Sequence, residues 1–283
     1  MEPLAARVHA KKAEWRVVRS GTSHVISLYA DDPLIYMRRT KEVLPSVMSL
    51  LSEFGGISGL IVNWGKSCIF PLISWPPARQ ENAPPGQLKW CFDTFKYLGV
   101  NVYHRAEDLR DGNLGRAVTS IKGSLRFWNK LPLSPLGKVT IANMLVLPRL
   151  LYYFAALPII IPKSFFNSLN SALVQLVWGE GRRRVALTPL YHPVAEGGLG
   201  APNFELYSAA AQLQWILNWI HRPSSAEATW LKTRLQGVPL LKWLMDKRTK
   251  STRINPLMAA AHACWKKYIQ KTPKNFPTHR SSH

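Results

Sequence analysis

Apolar residues along this chain fall first into short runs and then, beyond about residue 105, into stripes three or four positions apart. Val25, Ile26, Leu28 and Tyr29 precede two aspartates, and Leu34, Ile35, Tyr36 and Met37 follow them. Two apolar runs around a short polar turn predict a β-hairpin with Asp31 and Asp32 at its tip. Val43, Leu44, Val47, Leu50, Leu51 and Phe54 have helical spacing, and Gly55, Gly56 and Gly59 are expected to end that helix. Leu60–Trp64 has the look of a strand. The Pro- and Gly-rich stretch from Pro71 to Gly86 predicts a loop, and a strand pair is expected around Phe92–Val102.

Leu114, Val118, Ile121, Leu125 and Trp128 step by four, three, four and three, the period of an amphipathic helix. Ser134-Pro135 is a helix start, with a capping hydroxyl ahead of a proline that fits the first position. Leu136, Val139, Met144 and Leu147 would be its buried side. A third helix, capped by Ser164, carries Phe166, Leu169, Leu173, Leu176 and Val177, and a fourth runs through Leu206, Ala210, Leu213, Ile216 and Ile220. Leu145–Ile161 is the most membrane-like stretch, but it holds Arg149, Pro148 and Pro158. A mid-bilayer arginine costs about 2.5–3.5 kcal/mol, so buried protein is expected there. The predicted class is α+β: a small mixed part over 1–105, then a mostly helical remainder.

Composition adds a direction. Thirty-seven Lys and Arg against 16 Asp and Glu give +21, which draws polyanions. The net charge climbs from +4 over residues 1–100 to +7 over 101–200 and +10 over the rest. Three cysteines without C-x-x-C spacing argue against a disulfide framework or zinc site and suit a reducing compartment. The first residues, MEPLAARVHAKK, lack the apolar centre of a secretion signal, so an intracellular, non-secreted protein is expected, in cytoplasm or nucleus.

Asp31-Asp32 is the one adjacent acidic pair within an apolar hairpin. Magnesium binds carboxylate oxygens and substrate phosphates together, so such a pair suits phosphoryl chemistry; a merely solvated Asp-Asp turn is the competing account. Arg182-Arg183-Arg184 suits phosphate contact or a solvated loop alike. Gly197-Gly198-Leu199-Gly200 has no following Lys-Ser/Thr and predicts a turn rather than a phosphate loop. Trp215, Trp219, Trp230, Trp243 and Trp265 allow stacking on bases, but helical spacing favours core positions. His192 and His221 are expected to be structural.

Taken in order, these motifs resemble the reverse transcriptase of LINE-type (non-LTR) retrotransposons. Tyr29-Ala30-Asp31-Asp32 between apolar runs resembles its catalytic hairpin. Phe54-Gly55-Gly56-Ile57-Ser58-Gly59-Leu60, with Asn63-Trp64 and Lys66-Ser67, is similar to the palm motif after it, and Phe95-Lys96-Tyr97-Leu98-Gly99-Val100 to the primer grip. Trp128 to Pro162 is similar to the thumb, and 178–204 to the segment beyond. The resemblance implies an incomplete palm (hairpin plus helix) over 1–105, a thumb-like region over 106–163, and a basic helical connector with a mobile tail over 164–283. It implies that Asp31 ligates magnesium with Asp32 beside it, that Tyr29 lies near the primer end, and that Lys66 acts near the incoming triphosphate. It also implies that Leu98 and Gly99 hold the primer, with RNA template and DNA primer as partners.

The departures set the expected activity. The family's palm uses a further aspartate from an earlier strand, and only Glu2 and Glu14 precede Asp31, neither in a matching motif. MEPLA resembles sequence just after the nucleotide-pocket motif. Fingers, endonuclease and a terminal cysteine-histidine knuckle have no counterpart here, and Pro33 removes a backbone donor beside the carboxylates. The expectation is a fragment of an RNA-directed DNA polymerase, inactive alone; a non-catalytic nucleic-acid-binding remnant is the alternative. A basic membrane-surface protein fits less well, because no long cationic amphipathic helix is present.

Overall fold

The computed structural model describes residues 1–19, 22–72, 88–157, 159–179, 185–246 and 256–270. Arg182, Arg183 and Arg184, the Pro71–Gly86 loop beyond Leu72, and the tail expected to be mobile all lie outside the described residues. The described residues are mixed, mainly helix with four two-stranded ladders, and the chain divides into two compact units. One comprises Met1–Arg105 and Ala226–Arg234; the other comprises Ala106–Ser225 and Leu235–His283.

In the first unit, α1 (Glu2–Ala10) buries Leu4 and Val8 completely, one turn apart on one face. They meet Trp15 at the end of α2 (Lys12–Trp15), with Val25, Val43, Val47 and Leu51 completing the core. β1 (Val17–Arg19) pairs antiparallel with β2 (Thr22–His24), and β3 (Ile26–Tyr29) with β4 (Asp32–Ile35), as the expected hairpin. Helix α3 (Thr40–Ser58) turns the anticipated Val43, Leu44, Val47 and Leu51 inward. It runs on through Gly55 and Gly56, contrary to expectation, and ends only at Gly59, whose φ of 72° breaks the helical path. Gly55 has a separate purpose there, since a Cβ would lie 2.9 Å from the Leu60 carbonyl oxygen. The expected strand at Leu60–Trp64 is not one. Val62 and Trp64 pack on the core while Ile61 stays exposed, which yields the alternation of a strand without a ladder partner.

β5 (Cys68–Ile69) instead runs parallel to β6 (Lys89–Trp90), a pairing too short to leave a sequence signal. Burial, reinforced by neighbouring Cys91, raises the Cys68 thiol to about 12. The expected strand pair follows as β7 (Thr94–Tyr97) and β8 (Val100–Tyr103). Phe70 lies between Phe95 and His104, with ring centroids 4.8 and 4.3 Å away, and a His104 ring nitrogen is 2.8 Å from the Phe92 carbonyl. Helix Ala226–Arg234 joins this unit through β2, with Ala228 and Leu231 buried.

The second unit is a helical assembly around one apolar core. α4 (Ala106–Asn129) begins eight residues before the apolar stripe, opened by Glu107 and Asp108 and stiffened by buried Asn113, which donates to the Leu109 carbonyl. Leu114, Ile121 and Leu125 face inward as expected. Ser134 caps α5 (Pro135–Ile141) by accepting from the Gly137 amide at 3.1 Å. The helix then passes a π turn (Ala142–Val146) into α6 (Leu147–Ala156). Pro148 has no N–H for the Met144 carbonyl, and the Leu147 amide reaches back five residues to Ala142. Buried Val139, Ala142, Val146, Leu150 and Phe154 step by three, four, four and four, and the wider π turn absorbs what exceeds a 3.6-residue repeat. Leu136 and Met144, expected inside, are exposed; Met144 lies within the π turn and off the buried row, and Leu136 is in the first turn of α5.

α7 (Lys163–Trp178) buries all five expected residues, although Pro162, not Ser164, occupies its cap position. α8 (Leu187–Tyr191), a single 3-10 turn (Val194–Glu196) and α9 (Phe204–His221) follow. The buried face of α9 is Phe204, Ser208, Ala209, Gln212, Ile216 and Trp219, so the expected stripe was rotated and shares only Ile216 with it. After α10, the Ala226–Arg234 helix of the first unit, α11 (Leu240–Met245) and α12 (Pro256–Tyr268) close the assembly. Lys267 and Tyr268 of α12 both bind the Glu205 carboxylate on α9.

One described helix, Pro135–Ala156, is long and apolar enough to cross a membrane by length and composition; it carries Lys138 and Arg149, and a third of its most apolar window is buried in the unit. Leu147, Leu150, Phe154, Leu157 and Ile159 of the most membrane-like stretch are inside the protein, while Leu145, Tyr152 and Ile160 are exposed.

Two tests follow from this packing. A Cβ on Gly198 would sit 2.0 Å from the His192 carbonyl oxygen, whereas one on Gly123 meets open space. Gly198→Ala is expected to destabilise by about 2–3 kcal/mol and Gly123→Ala to stabilise by up to about 1 kcal/mol, both measured by urea unfolding. His262 is fully buried and stacked 4.3 Å from Trp243; burial and then Lys266 lower its pKa to about 4, against Asp246. Its unfolded counterpart protonates near 6.5. Stability is therefore intact above pH 6.5 and falls as the pH drops toward 4. His262→Phe is expected to flatten that decline in melting curves across this range.

Candidate functional site

The β3–β4 register sets the geometry of the carboxylates. Tyr29 pairs with Asp32, which leaves Ala30-Asp31 as a two-residue turn. Ala30 takes a φ of 50°, a left-handed conformation that costs an L-residue roughly 1–2 kcal/mol. Asp31 is thus in the turn itself, while Asp32 starts β4 opposite Tyr29, and all three side chains are exposed. In an antiparallel ladder, hydrogen-bonded and non-bonded pairs alternate. With Tyr29–Asp32 closing the turn, Leu28–Pro33 is the non-bonded pair. The proline nitrogen therefore faces away from β3, and the expected loss of a ladder donor at Pro33 does not occur.

The β7–β8 turn is built on similar strain. Tyr97 pairs with Val100 across Leu98-Gly99, whose φ angles are 46° and 81°. Positive φ at both positions is the mirror-image turn that matches strand twist. Glycine accepts it without cost; leucine does not, and a bulky residue there is an outlier. The Tyr97 hydroxyl donates to the Asp32 backbone carbonyl at 3.5 Å. Burial first, then Tyr36 and Asp32, raises its pKa above the ordinary phenol value. The two hairpins therefore meet through Tyr97, a residue within the Phe95–Val100 motif that has no distinguishing signal in the sequence.

Among the described residues, the structure brings Asp31, Asp32 and Tyr29 into one turn and sets Leu98 and Gly99 next to Tyr97. The Lys66 amide bonds the Asn63 carbonyl and side chain at 3.1 Å in an exposed turn of its own, and among the described residues no hydrogen bond or ion pair links Lys66 to either aspartate. Magnesium is commonly held by one or two carboxylates together with water and phosphate oxygens. Exposed Asp31 and Asp32 fit that partial donor set for one ion shared with a phosphate ligand. No group of three His, Cys, Asp or Glu side chains converges among the described residues.

Of the other candidates, Trp219 and Trp243 are core residues, and exposed His192 lies 3.5 Å from Glu196. Gly197–Gly200 is a tight turn, with the Gly200 amide bonded to the His192 carbonyl at 2.8 Å. Compared with models of known protein families, the chain matches none.

The strain is testable. Leu98→Asn, which tolerates the left-handed region better, is expected to hold or raise stability by up to about 1 kcal/mol, whereas Gly99→Val should lower it by more than 1 kcal/mol in chemical denaturation. Equal effects of the two substitutions would refute the turn geometry.

Proposed function

We propose that this chain is the later part of a LINE-type reverse transcriptase, with a partial palm ending at the β7–β8 hairpin and a thumb-like helical region after it. In this reading the protein handles an RNA template and a DNA primer inside the cell, and Asp31 and Asp32 hold magnesium that organises the phosphates at the primer end. The observation that carries it is the Tyr97–Asp32 contact, since it joins the acid turn to the turn whose sequence resembles a primer grip. The ordered series of motifs from Tyr29 to Phe204 supports the same reading, as does the net charge of +21.

Two-metal nucleotidyl transfer needs carboxylates enough to share both ions, and this turn offers two. The chain on its own is therefore proposed to bind template and primer without extending them. The alternative, a non-catalytic nucleic-acid-binding remnant, shares the charge but gives the paired-aspartate tip no metal to hold.

Primer extension on an RNA template with magnesium separates these accounts, using the parent chain and an Asp31→Ala, Asp32→Ala double variant. The expected outcome is no extension by either, with template–primer binding that weakens steeply as salt rises. Magnesium should tighten binding of the primer end to the parent but not to the double variant. Extension by the parent alone would overturn the proposed inactivity, and magnesium-indifferent binding by both would favour the alternative.

A further inference from the structure

We infer that a groove between α4 and α7 is a binding site for the phosphodiester backbone of a nucleic-acid strand. The two helices pack along each other and leave a groove of about 770 Å³ on the surface. One wall presents Lys122, Arg126 and Lys130; the other presents Ser168, Ser171 and Gln175. None of the residues lining it is acidic, and no described ion pair engages the three cations.

The spacing gives the wall its meaning. Residues 122, 126 and 130 are four apart, so they climb one face of α4 and its end by about 6 Å per step. Like charges at this separation repel and cost a helix a few tenths of a kcal/mol per pair. A row of three with no carboxylate interleaved works against folding, and a polyanion lying along it would remove that repulsion. The opposite wall supplies neutral hydroxyl and amide donors, the groups that together with Lys and Arg contact phosphate and sugar without reading sequence. Leu125 and Leu176 form an apolar floor suited to sugar rings. A small anion would use one or two of these groups; an extended backbone uses the whole row.

This inference rests on the reading above only in that both require nucleic-acid binding, and it names the surface responsible. The test is fluorescence anisotropy with labelled single-stranded RNA and with an RNA–DNA duplex across a salt series. Three proteins are compared: the parent, Lys122→Gln/Arg126→Gln/Lys130→Gln, and a control in which exposed Lys11, Lys41 and Lys242 become Gln. Circular dichroism melts check that all three fold. The groove variant is expected to bind at least tenfold more weakly at low salt. Its log–log salt slope should flatten by about 2 for the single strand and about 3 for the duplex, three phosphates' share. The control, with the same loss of charge, should change affinity by less than threefold.

Equal losses in both variants would mean a diffuse charge effect and would overturn the groove as a site while leaving the functional reading intact. No nucleic-acid binding by the parent would overturn both. Stronger capture by phosphatidylserine vesicles than by either nucleic acid, lost in the groove variant, would reassign the surface to a membrane.

Discussion

The second unit depends on the burial of Leu150 and Phe154, which have no solvent exposure, and on the polar bond that makes their helix end tolerable there. The last carbonyls of a helix have no partners within it. Where α6 stops inside the core, Gln212 of α9 donates to the Phe154 carbonyl at 2.9 Å and to the Leu157 carbonyl at 3.3 Å. An unsatisfied buried carbonyl costs about 1–3 kcal/mol; the glutamine offsets this for two helix-end carbonyls, while its own buried Oε1 is left without a partner. Leu169, Leu173 and Leu176 of α7 then complete the layer, with Phe166 edge-on to Phe165. The groove wall belongs to this arrangement, because the same α7 that buries Leu169 and Leu173 sets Ser171 and Gln175 along the groove beside Leu176.

That bond also explains where the sequence was hard to read. Helices α3, α4 and α7 have polar residues between their apolar stripes; the face of α7 was legible residue by residue, and those of α3 and α4 in most positions, though buried Asn113 and Ala117 of α4 were not foreseen. Helix α9 is apolar most of the way round, and its true face includes Ser208 and Gln212. A periodicity argument discards polar positions, so it chose the wrong face. The Leu60–Trp64 segment failed for the opposite reason: alternation records which side chains find a core and says nothing of whether a neighbouring strand exists. Assignment of Ala226–Arg234 to the first unit depends on which core Ala228 and Leu231 enter, a long-range choice without local signature.

The candidate chemistry was legible in part. The first hairpin was placed to within one residue, its turn being Ala30-Asp31 rather than Asp31-Asp32, while the second was foreseen as a strand pair without its turn at Leu98-Gly99. The strain at Ala30 and Leu98 was not legible, because neither residue type announces a positive φ. Tyr97 was within view, next to the turn, but its hydroxyl gains importance only once the hairpins are seen to meet. The cations at 122, 126 and 130 were counted as part of a diffuse excess; their four-residue interval was present in the sequence and becomes informative when the opposite wall is known.

The π turn between α5 and α6 holds one residue more than a regular helix would need to join the same two packed ends. A proline inside a regular helix faces the carbonyl four residues back with no hydrogen to give it. The surplus residue therefore gives Pro148 a place in a helix that stays continuous from Pro135 to Ala156.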